Sequence, residues 1–320
     1  MKKIVRLFTK GAKSIIAWIL LLLLLIFAAI TVAEYVKLPS FIPSWSRIFE
    51  ALGLSPEAPQ IIEADKFEIH IIDVGKADSI LIRCEGEDML IDAGEKETAG
   101  KVINYLSSVG VKRLKYVMAS HPHNDHIGGM SKVLKRFDTD EIIMGDYPVE
   151  LTPTSNNYEK LLDTIEDKNI PVKKGEAGVT FELGSAKAEI LFPYEGYIND
   201  ELNNYSLVTR FEYGERSFLM MGDCEEEAED AMLDMNVLKP CDFLKVGHHG
   251  SNSSTKKRFL SAIKPEYAAI SVGQYDIYGH PDDKVLGRLD DFNVKYYRTD
   301  YSGTIVIRSD GSTITVDTEK

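Results

Sequence analysis

Residues 120–129 read Ser120-His121-Pro122-His123-Asn124-Asp125-His126-Ile127-Gly128-Gly129, and the rest of the chain is interpreted from them. Three of the seven histidines and one aspartate fall within six consecutive positions. The preceding Leu114-Lys115-Tyr116-Val117-Met118-Ala119 is apolar and β-prone, which predicts a buried strand. The following Ser131-Lys132-Val133-Leu134-Lys135-Arg136-Phe137 has helical spacing. The cluster is therefore expected on a tight loop between a strand end and a helix start, where ligands bind in α/β proteins. Imidazoles with a carboxylate suit zinc, manganese or iron rather than calcium, which takes oxygen ligands alone. His121 and His123 are two apart and point the same way on an extended loop. Asp125 and His126 can turn toward a second position, so one loop could serve two ions ~3.5–4 Å apart. The bland alternative is a polar surface loop, and the concentration of histidines speaks against it.

Further stretches recur in an order that carries a resemblance. They are Asp73-Val74-Gly75-Lys76-Ala77-Asp78-Ser79, Leu90-Ile91-Asp92-Ala93-Gly94, Asn203-Asn204-Tyr205-Ser206-Leu207-Val208 and Met221-Gly222-Asp223. Then come Leu244-Lys245-Val246-Gly247-His248-His249-Gly250-Ser251 and Tyr278-Gly279-His280-Pro281. With His121-x-His123-x-Asp125-His126, they resemble the metallo-β-lactamase superfamily, and more specifically the hydrolase domain of ComEC competence proteins. The resemblance runs from about residue 67 to the C-terminus. It implies an αβ/βα sandwich holding two divalent metal ions, zinc or manganese, at the rim of two packed sheets.

The resemblance also assigns expected roles. His121, His123, Asp125, His126 and Asp223 would bind metal, with Asp223 as the bridging carboxylate. One of His248 and His249 would complete the second ion's shell, and the residues leave open which; the other would contact substrate phosphate. Asp125 is a candidate catalytic residue as well as a ligand. Asp92 would support the metal loop by accepting a hydrogen bond from a ligand imidazole, with Asp78 at the neighbouring turn in a similar supporting role. Many superfamily members carry a histidine ligand where this chain has Asn203 and Asn204. An amide oxygen is a weaker, neutral ligand, so the ion beside His121 and His123 would be held loosely or enter with substrate. Asn203, Asn204 and Ser251 are candidate substrate contacts. His280 would protonate a leaving alkoxide or hold a phosphate oxygen; a loop-capping role competes.

Plainer readings stand beside these. His70 falls mid-strand in Phe67–Val74 and is expected on a strand face rather than at a metal. Asp223 could instead cap an acidic helix over 225–234. Cys84, Cys224 and Cys241 are too few for a disulfide framework and read as buried thiols, although Cys224 directly follows Asp223.

The front of the chain is a separate unit. Residues 1–14 hold Lys2, Lys3, Arg6, Lys10 and Lys13 and no acid, a basic segment expected in the cytoplasm. Residues 15–33 are uncharged, including Leu20 to Leu25 unbroken, and ~20 apolar residues cross a bilayer as a helix. With the positive flank inside, this predicts a single-pass anchor in the cell membrane and an extracytoplasmic remainder. The alternative is secretion after cleavage of a signal peptide near Thr31-Val32-Ala33, although the apolar core exceeds the usual ~7–15 residues. Residues 34–66, punctuated by four prolines, read as a linker to a hydrolase domain at 67–320.

Net charge is −13, and beyond residue 33 there are 32 basic against 50 acidic residues, or −18. That argues against tight, extended nucleic-acid binding, which favours a basic face. Basic residues still cluster at Lys112-Arg113-Lys115, Lys132-Lys135-Arg136 and Lys256-Lys257-Arg258.

The expected activity is metal-dependent hydrolysis of phosphodiester bonds, with water as the attacking group. The ComEC likeness implies a nuclease acting on DNA outside the cytoplasm; with one apolar span in place of that transporter's many helices, it would work beside a separate membrane channel protein. A phosphodiesterase for a cell-envelope polymer, like the phosphorylcholine esterases of the superfamily, is the alternative. A non-catalytic metal-binding module is the third.

Overall fold

Alternation along Phe67–Ile71 puts Phe67, Ile69 and Ile71 on one face of the first strand and His70 on the other. The same logic repeats along the chain and generates two sheets. The computed structural model describes residues 67–274 and 278–320. The basic segment, anchor and linker expected at 1–66 lie outside those residues. Among the described residues no helix is long and apolar enough to cross a membrane.

The first sheet holds β1 (Phe67–Ile71), β2 (Ile80–Cys84), β3 (Glu87–Ile91), β4 (Arg113–Ala119), β5 (Asp138–Met144) and β6 (Val172–Lys174). The last strands of the chain, β14 (Ile305–Ser309) and β15 (Ile314–Thr318), complete it in the order β15-β14-β1-β2-β3-β4-β5-β6. The second sheet holds β7 (Thr180–Leu183), β8 (Ala186–Phe192), β9 (Val208–Tyr213), β10 (Arg216–Met220), β11 (Phe243–Lys245), β12 (Tyr267–Ile270) and β13 (Lys295–Arg298). Its order is β13-β12-β11-β10-β9-β8-β7. Apolar–polar alternation over 179–192 and 206–221 predicts two hairpins, and they form as β7–β8 and β9–β10.

Three apolar layers follow. Ile69, Ile82 and Met89 of the first sheet meet Phe211, Phe218 and Phe243 of the second. On the outer face of the first sheet, Leu81, Leu90 and Val117 pack on α1 (Ala99–Ser108), α3 (Met130–Arg136) and α4 (Asn156–Asp167). The outer face of the second packs on α5 (Glu226–Asp234), α6 (Lys257–Ile263) and α7 (Asp283–Asp291). The predicted αβ/βα sandwich is therefore the architecture. Strand β4 is covered on both faces toward its C-terminal end, which is why Tyr116-Val117-Met118-Ala119 is an unbroken apolar run rather than alternating.

The sequence reading did not anticipate α6, α7 or a final turn, α8 (Thr299–Ser302). Each is short and offers few apolar positions to periodicity. Strand β6 is three residues long with mostly solvent-facing side chains, and its pairing to β5 makes it a strand. His70 is buried beneath α1, 2.7 Å from the Tyr105 hydroxyl and 3.2 Å from Glu68, as a strand-face histidine. All three cysteines are free and buried.

Candidate metal centre

The metal loop leaves the C-terminal end of β4 through bends at 120–122, is extended at His123, then coils into a short helical turn, α2 (Asn124–Ile127), before α3. That turn is a correction to the plain loop expected there. It turns Asp125 and His126 into the cluster, with the His126 ring 4.1 Å from that of His121. The turn lies close to the 92–94 segment: Ala93 N–H donates to His126 O at 2.7 Å, and Gly129 N–H to Gly94 O at 2.9 Å. A Cβ at Gly129 would fall 2.2 Å from Ala93 O, so only glycine permits this approach.

Four residues from both sheets converge. Asp125 and His126 come from the loop after β4, Asp223 from the turn after β10, and His249 from the turn after β11. One ligand atom from each lies within 4.8 Å of all the others. Asp223 Oδ2 is 3.2 Å from His126 Nε2 and 3.4 Å from His249 Nε2, while His249 Nε2 is 3.5 Å from Asp125 Oδ2.

Side-chain support fixes which nitrogen faces inward. His126 Nδ1 lies 2.7 Å from Asp92 Oδ2, and His249 Nδ1 lies 3.1 Å from the Ser271 carbonyl. A carboxylate or carbonyl can only accept, so both Nδ1 atoms carry the proton and both Nε2 atoms point into the cluster. His126 Nε2, His249 Nε2 and Asp223 Oδ1 are buried and lack a well-directed hydrogen bond. Buried polar atoms left unpaired are costly. Their convergence is the pattern a divalent cation satisfies, and the nitrogen–carboxylate donor set fits zinc, manganese or iron.

Asp92 ties the start of the metal loop to His126. Besides His126 it accepts from Ser120 N–H at 2.9 Å and Ser120 Oγ at 2.6 Å. We expect Asp92→Asn to weaken metal affinity ~10–100-fold, the usual effect of removing such a partner. Competition with a chromogenic chelator measures it, and an unchanged affinity would remove Asp92 from this role.

The structure separates the paired histidines that the sequence could not. His248 and His249 both have left-handed φ, 47° and 51°, uncommon for residues with a side chain. This turn sends His249 into the cluster and leaves His248 at the rim. His248 Nδ1 pairs with Glu225 Oε1 at 2.9 Å, and its Nε2 is 3.9 Å from Asp223. His249→Ala is therefore expected to abolish stoichiometric metal, whereas His248→Ala retains it, as measured by metal content after gel filtration. The reverse pattern would reverse the assignment.

His121 and His123 lie together, with 3.0 Å between His121 Nε2 and His123 Nδ1. His121 is fully buried and neutral at ordinary pH, because burial and then the neighbouring His126 push its pKa well down. Among the described residues no third ligating atom joins this pair within the span that defines the main cluster. Asp78, Asp92 and His126 also converge, but Lys245 Nζ already sits 2.8 Å from Asp78 Oδ2. That group supports the centre rather than offering a place for a cation.

Protons stand in for metal when none is bound. Burial opposes charge on His126 and His249, yet Asp223 above all outweighs it, raising His126 well above its usual pKa and His249 to about 10. Burial likewise opposes ionisation of Asp223, but His126 and then His249 hold its carboxyl well below the usual range. A cation must displace both imidazolium protons. Metal binding at pH 7–8 is expected to release close to two protons, and affinity to rise up to ~100-fold per pH unit. Calorimetry in two buffers of different ionisation enthalpy measures the release. The sign for the metal-free fold is opposite. His249, raised above its unfolded pKa, contributes stability that is complete below pH ~6.5 and fades as pH rises toward 10.

The cluster opens into a cavity of about 660 Å³. His123, Asp125, Asp223 and His249 form its floor, and Lys76, Glu95, Asn203, His248, Tyr278 and His280 also line it. Two candidate substrate contacts are corrected. Asn204 is fully buried, with Oδ1 accepting from Glu225 N–H at 2.9 Å and its amide nitrogen directed at Asn199 and Glu227. It braces loops instead of facing the cavity. Ser251 lies 2.9 Å from Ser253 Oγ and shapes its own turn, outside the lining. Asp223 does not cap α5, since Glu225 occupies that position. The Cys224 thiol points to Ser206 O at 3.7 Å and packs in the interior.

Comparison with known proteins agrees with this geometry. The model of the metallo-β-lactamase superfamily matches residues 72–274. The chain belongs to that superfamily. Its curated relatives include ComE operon protein 3 of Bacillus subtilis, 30% identical over 75% of this chain and 33% of the relative. Competence protein ComA of Neisseria gonorrhoeae is 28% identical over 79% and 34%. Recombination protein 2 of Haemophilus influenzae is 29% identical over 75% and 28%. The chain thus spans about a third of the length of these relatives. Among solved structures, a CmlA β-hydroxylase E377D mutant superimposes with a TM-score of 0.50 at 14% identity, covering 87% of this chain and 58% of that one. That likeness concerns the superfamily fold alone.

Sequence reasoning missed Lys245, a lone charge in Phe243-Leu244-Lys245-Val246. A cation inside an apolar parallel strand was the available signal, because such a residue is buried only when paired. It also gave no role to Lys76, Glu225 or Tyr278, which meet the site only through the fold.

Proposed function

We propose that this superfamily hydrolase cleaves phosphodiester bonds, with DNA as its substrate. The observation that carries the reading is the buried four-residue cluster opening into a cavity edged by Lys76, His248 and His280. The competence proteins among its relatives favour DNA.

Asp125, His126, Asp223 and His249 would hold the principal ion, zinc or manganese. His121 and His123 would hold a second more weakly. When bound, such an ion supplies a Lewis acid that polarises a phosphoryl oxygen and acidifies water. The chain's own residues orient the reaction. Burial opposes ionisation of Asp125, but His249 foremost holds its carboxyl far below the usual range. It is therefore a weak base, suited to holding a cation rather than taking up a proton. His280, which lines the cavity, would protonate the leaving alkoxide.

Residues 15–33 would anchor the enzyme in the membrane with residues 34–66 as a tether, and a separate channel protein would take the strand onward. An envelope phosphodiester polymer is the second reading, favoured by the net charge of −18 beyond residue 33. Incubating the protein with single- and double-stranded DNA and with bis-nitrophenyl phosphate, in Mn²⁺ or Zn²⁺, separates these readings. The control is an Asp125→Ala, His126→Ala double variant. DNA cleavage lost in the variant supports the nuclease. Cleavage of the small diester alone moves the substrate to the envelope, and bound metal without hydrolysis of either points to a binding module.

A further inference from the structure

Tyr278 stands at the mouth of the metal cavity with 70% of its surface accessible. A single exposed aromatic is ordinary by itself; the place of Tyr278 on the lining of the metal cavity, beside Lys76 and His280, is what bears on a ligand. Its ring lies nearly parallel to that of His280, 23° apart with 6.0 Å between centroids. His280 in turn sits 5.7 Å from the ring of His248. The Lys76 ammonium lies 5.6 Å from the Tyr278 ring centroid and 3.5 Å from Glu95.

The fold builds this arrangement from both sheets. Lys76 belongs to the turn between β1 and β2, and Tyr278 to the loop after β12. The two loops touch through backbone: a Cβ on Gly273 would fall 2.9 Å from Lys76 N. Likewise Pro281 packs where a Cβ on Gly250 would be, 2.6 Å from its own Cβ, holding His280 against the His248 turn.

We propose that Tyr278 and Lys76 form a nucleoside subsite, in which the tyrosine ring stacks on a base next to the scissile phosphate and Lys76 contacts the neighbouring phosphate. The proposal rests on the phosphodiesterase reading and names what selects its substrate. Three chemistries would suit an open tyrosine: a base, a sugar or a quaternary ammonium. Lys76 already places a cation at this ring, and a second would be repelled. An amphiphilic partner with a flat face and an adjoining anion matches the pair, and that is a nucleotide. With 70% of Tyr278 accessible, Lys76 and His280 leave much of its surface open to solvent. Glu95 steadies Lys76 through one contact, and an ammonium has three donors. A cavity of about 660 Å³ has room for a nucleoside beside the phosphate.

The test uses the full chain loaded with Mn²⁺ and two single-stranded oligomers of one length, one with bases and one abasic at every position. The readout is the ratio of their kcat/KM values. Stacking of one base is expected to give the wild type a preference of about 5- to 100-fold for the base-bearing strand. Tyr278→Ala should collapse that ratio toward one, and Tyr278→Phe should preserve it. A wild type indifferent to bases, or an alanine variant that keeps the ratio, would overturn the subsite. If the wild type cleaves neither oligomer, the nuclease reading fails by itself. Fluorescence anisotropy with the same two oligomers then decides the subsite: a base preference lost in Tyr278→Ala upholds it, and equal binding removes it.

Discussion

Asp223→Ala is expected to lower hydrolysis by ~10³-fold or more and to remove the tightly held metal. Asp223 is the carboxylate nearest to the inward-facing nitrogens of both imidazoles, 3.2 Å from His126 Nε2 and 3.4 Å from His249 Nε2. Its Oδ1 is buried and without a hydrogen-bond partner. Its negative charge is what holds protons on His126 and His249 when metal is absent, and what offsets a cation's charge when metal is present. Lewis-acid assistance amounts to several kcal/mol, and each ~1.4 kcal/mol is tenfold in rate. Asp223→Asn keeps the shape and removes the charge, so it should lose nearly as much. Metal content and turnover are measured together, with circular dichroism confirming the fold. Metal content within a factor of two of wild type in both variants would show that Asp223 is not a ligand.

Lys245→Met is expected to destabilise the domain by ~3–5 kcal/mol, the cost of leaving a buried charge without its partner. Lys245 and Asp78 are both essentially inaccessible, 167 residues apart in sequence and 2.8 Å apart in space. Burial would raise the Asp78 carboxyl pKa, but Lys245 beside it outweighs that and keeps it below its usual value. A depressed carboxylate contributes its stability above the unfolded pKa and loses it as pH falls through the folded one. The loss in Lys245→Met should therefore be largest at neutral pH and above and shrink as pH falls, where the stranded Asp78 carboxyl takes up a proton. For a domain of this size it corresponds to a fall in Tm on the order of 10 °C. Changing both partners, as Asp78→Asn with Lys245→Met, should recover part of the loss because no charge is then stranded. Urea denaturation of single and double variants provides the cycle. A single-variant effect under ~1 kcal/mol would mean that water reaches the pair.

The pair also joins the two halves of the metal centre. Asp78 N–H donates to Asp125 O at 3.2 Å, on the side of the first sheet. Lys245 lies four residues before His249, on the second. A shift between the sheets would move the ligands apart, so the buried charges act as a register mark.

Much of this was legible in the sequence because it is local. Strand β4 is an apolar run, and the histidine–aspartate spacing lies within one loop. The two hairpins alternate with period two. None of these needs a distant residue to be recognised. The supporting role expected of Asp92 came from the family resemblance, its place before Ala93-Gly94 suggesting only a turn; the structure puts it 2.7 Å from His126 Nδ1.

What the tertiary structure decided is whatever depends on two distant segments meeting or on a backbone angle. The sequence offers His248 and His249 as equals, and only the left-handed turn at both sends one inward. Asn203 and Asn204 are equally alike on paper, yet the first lines the cavity and the second braces loops beneath it. Lys245 and Asp78, or Lys76 and Tyr278, have no sequence relation at all, and packing the two sheets face to face creates each pair. Pattern and spacing thus determined the layers and the ligand-bearing loop, since those follow from periodicity along the chain. The inner shell, its support and its rim came from long-range contacts that no local window contains.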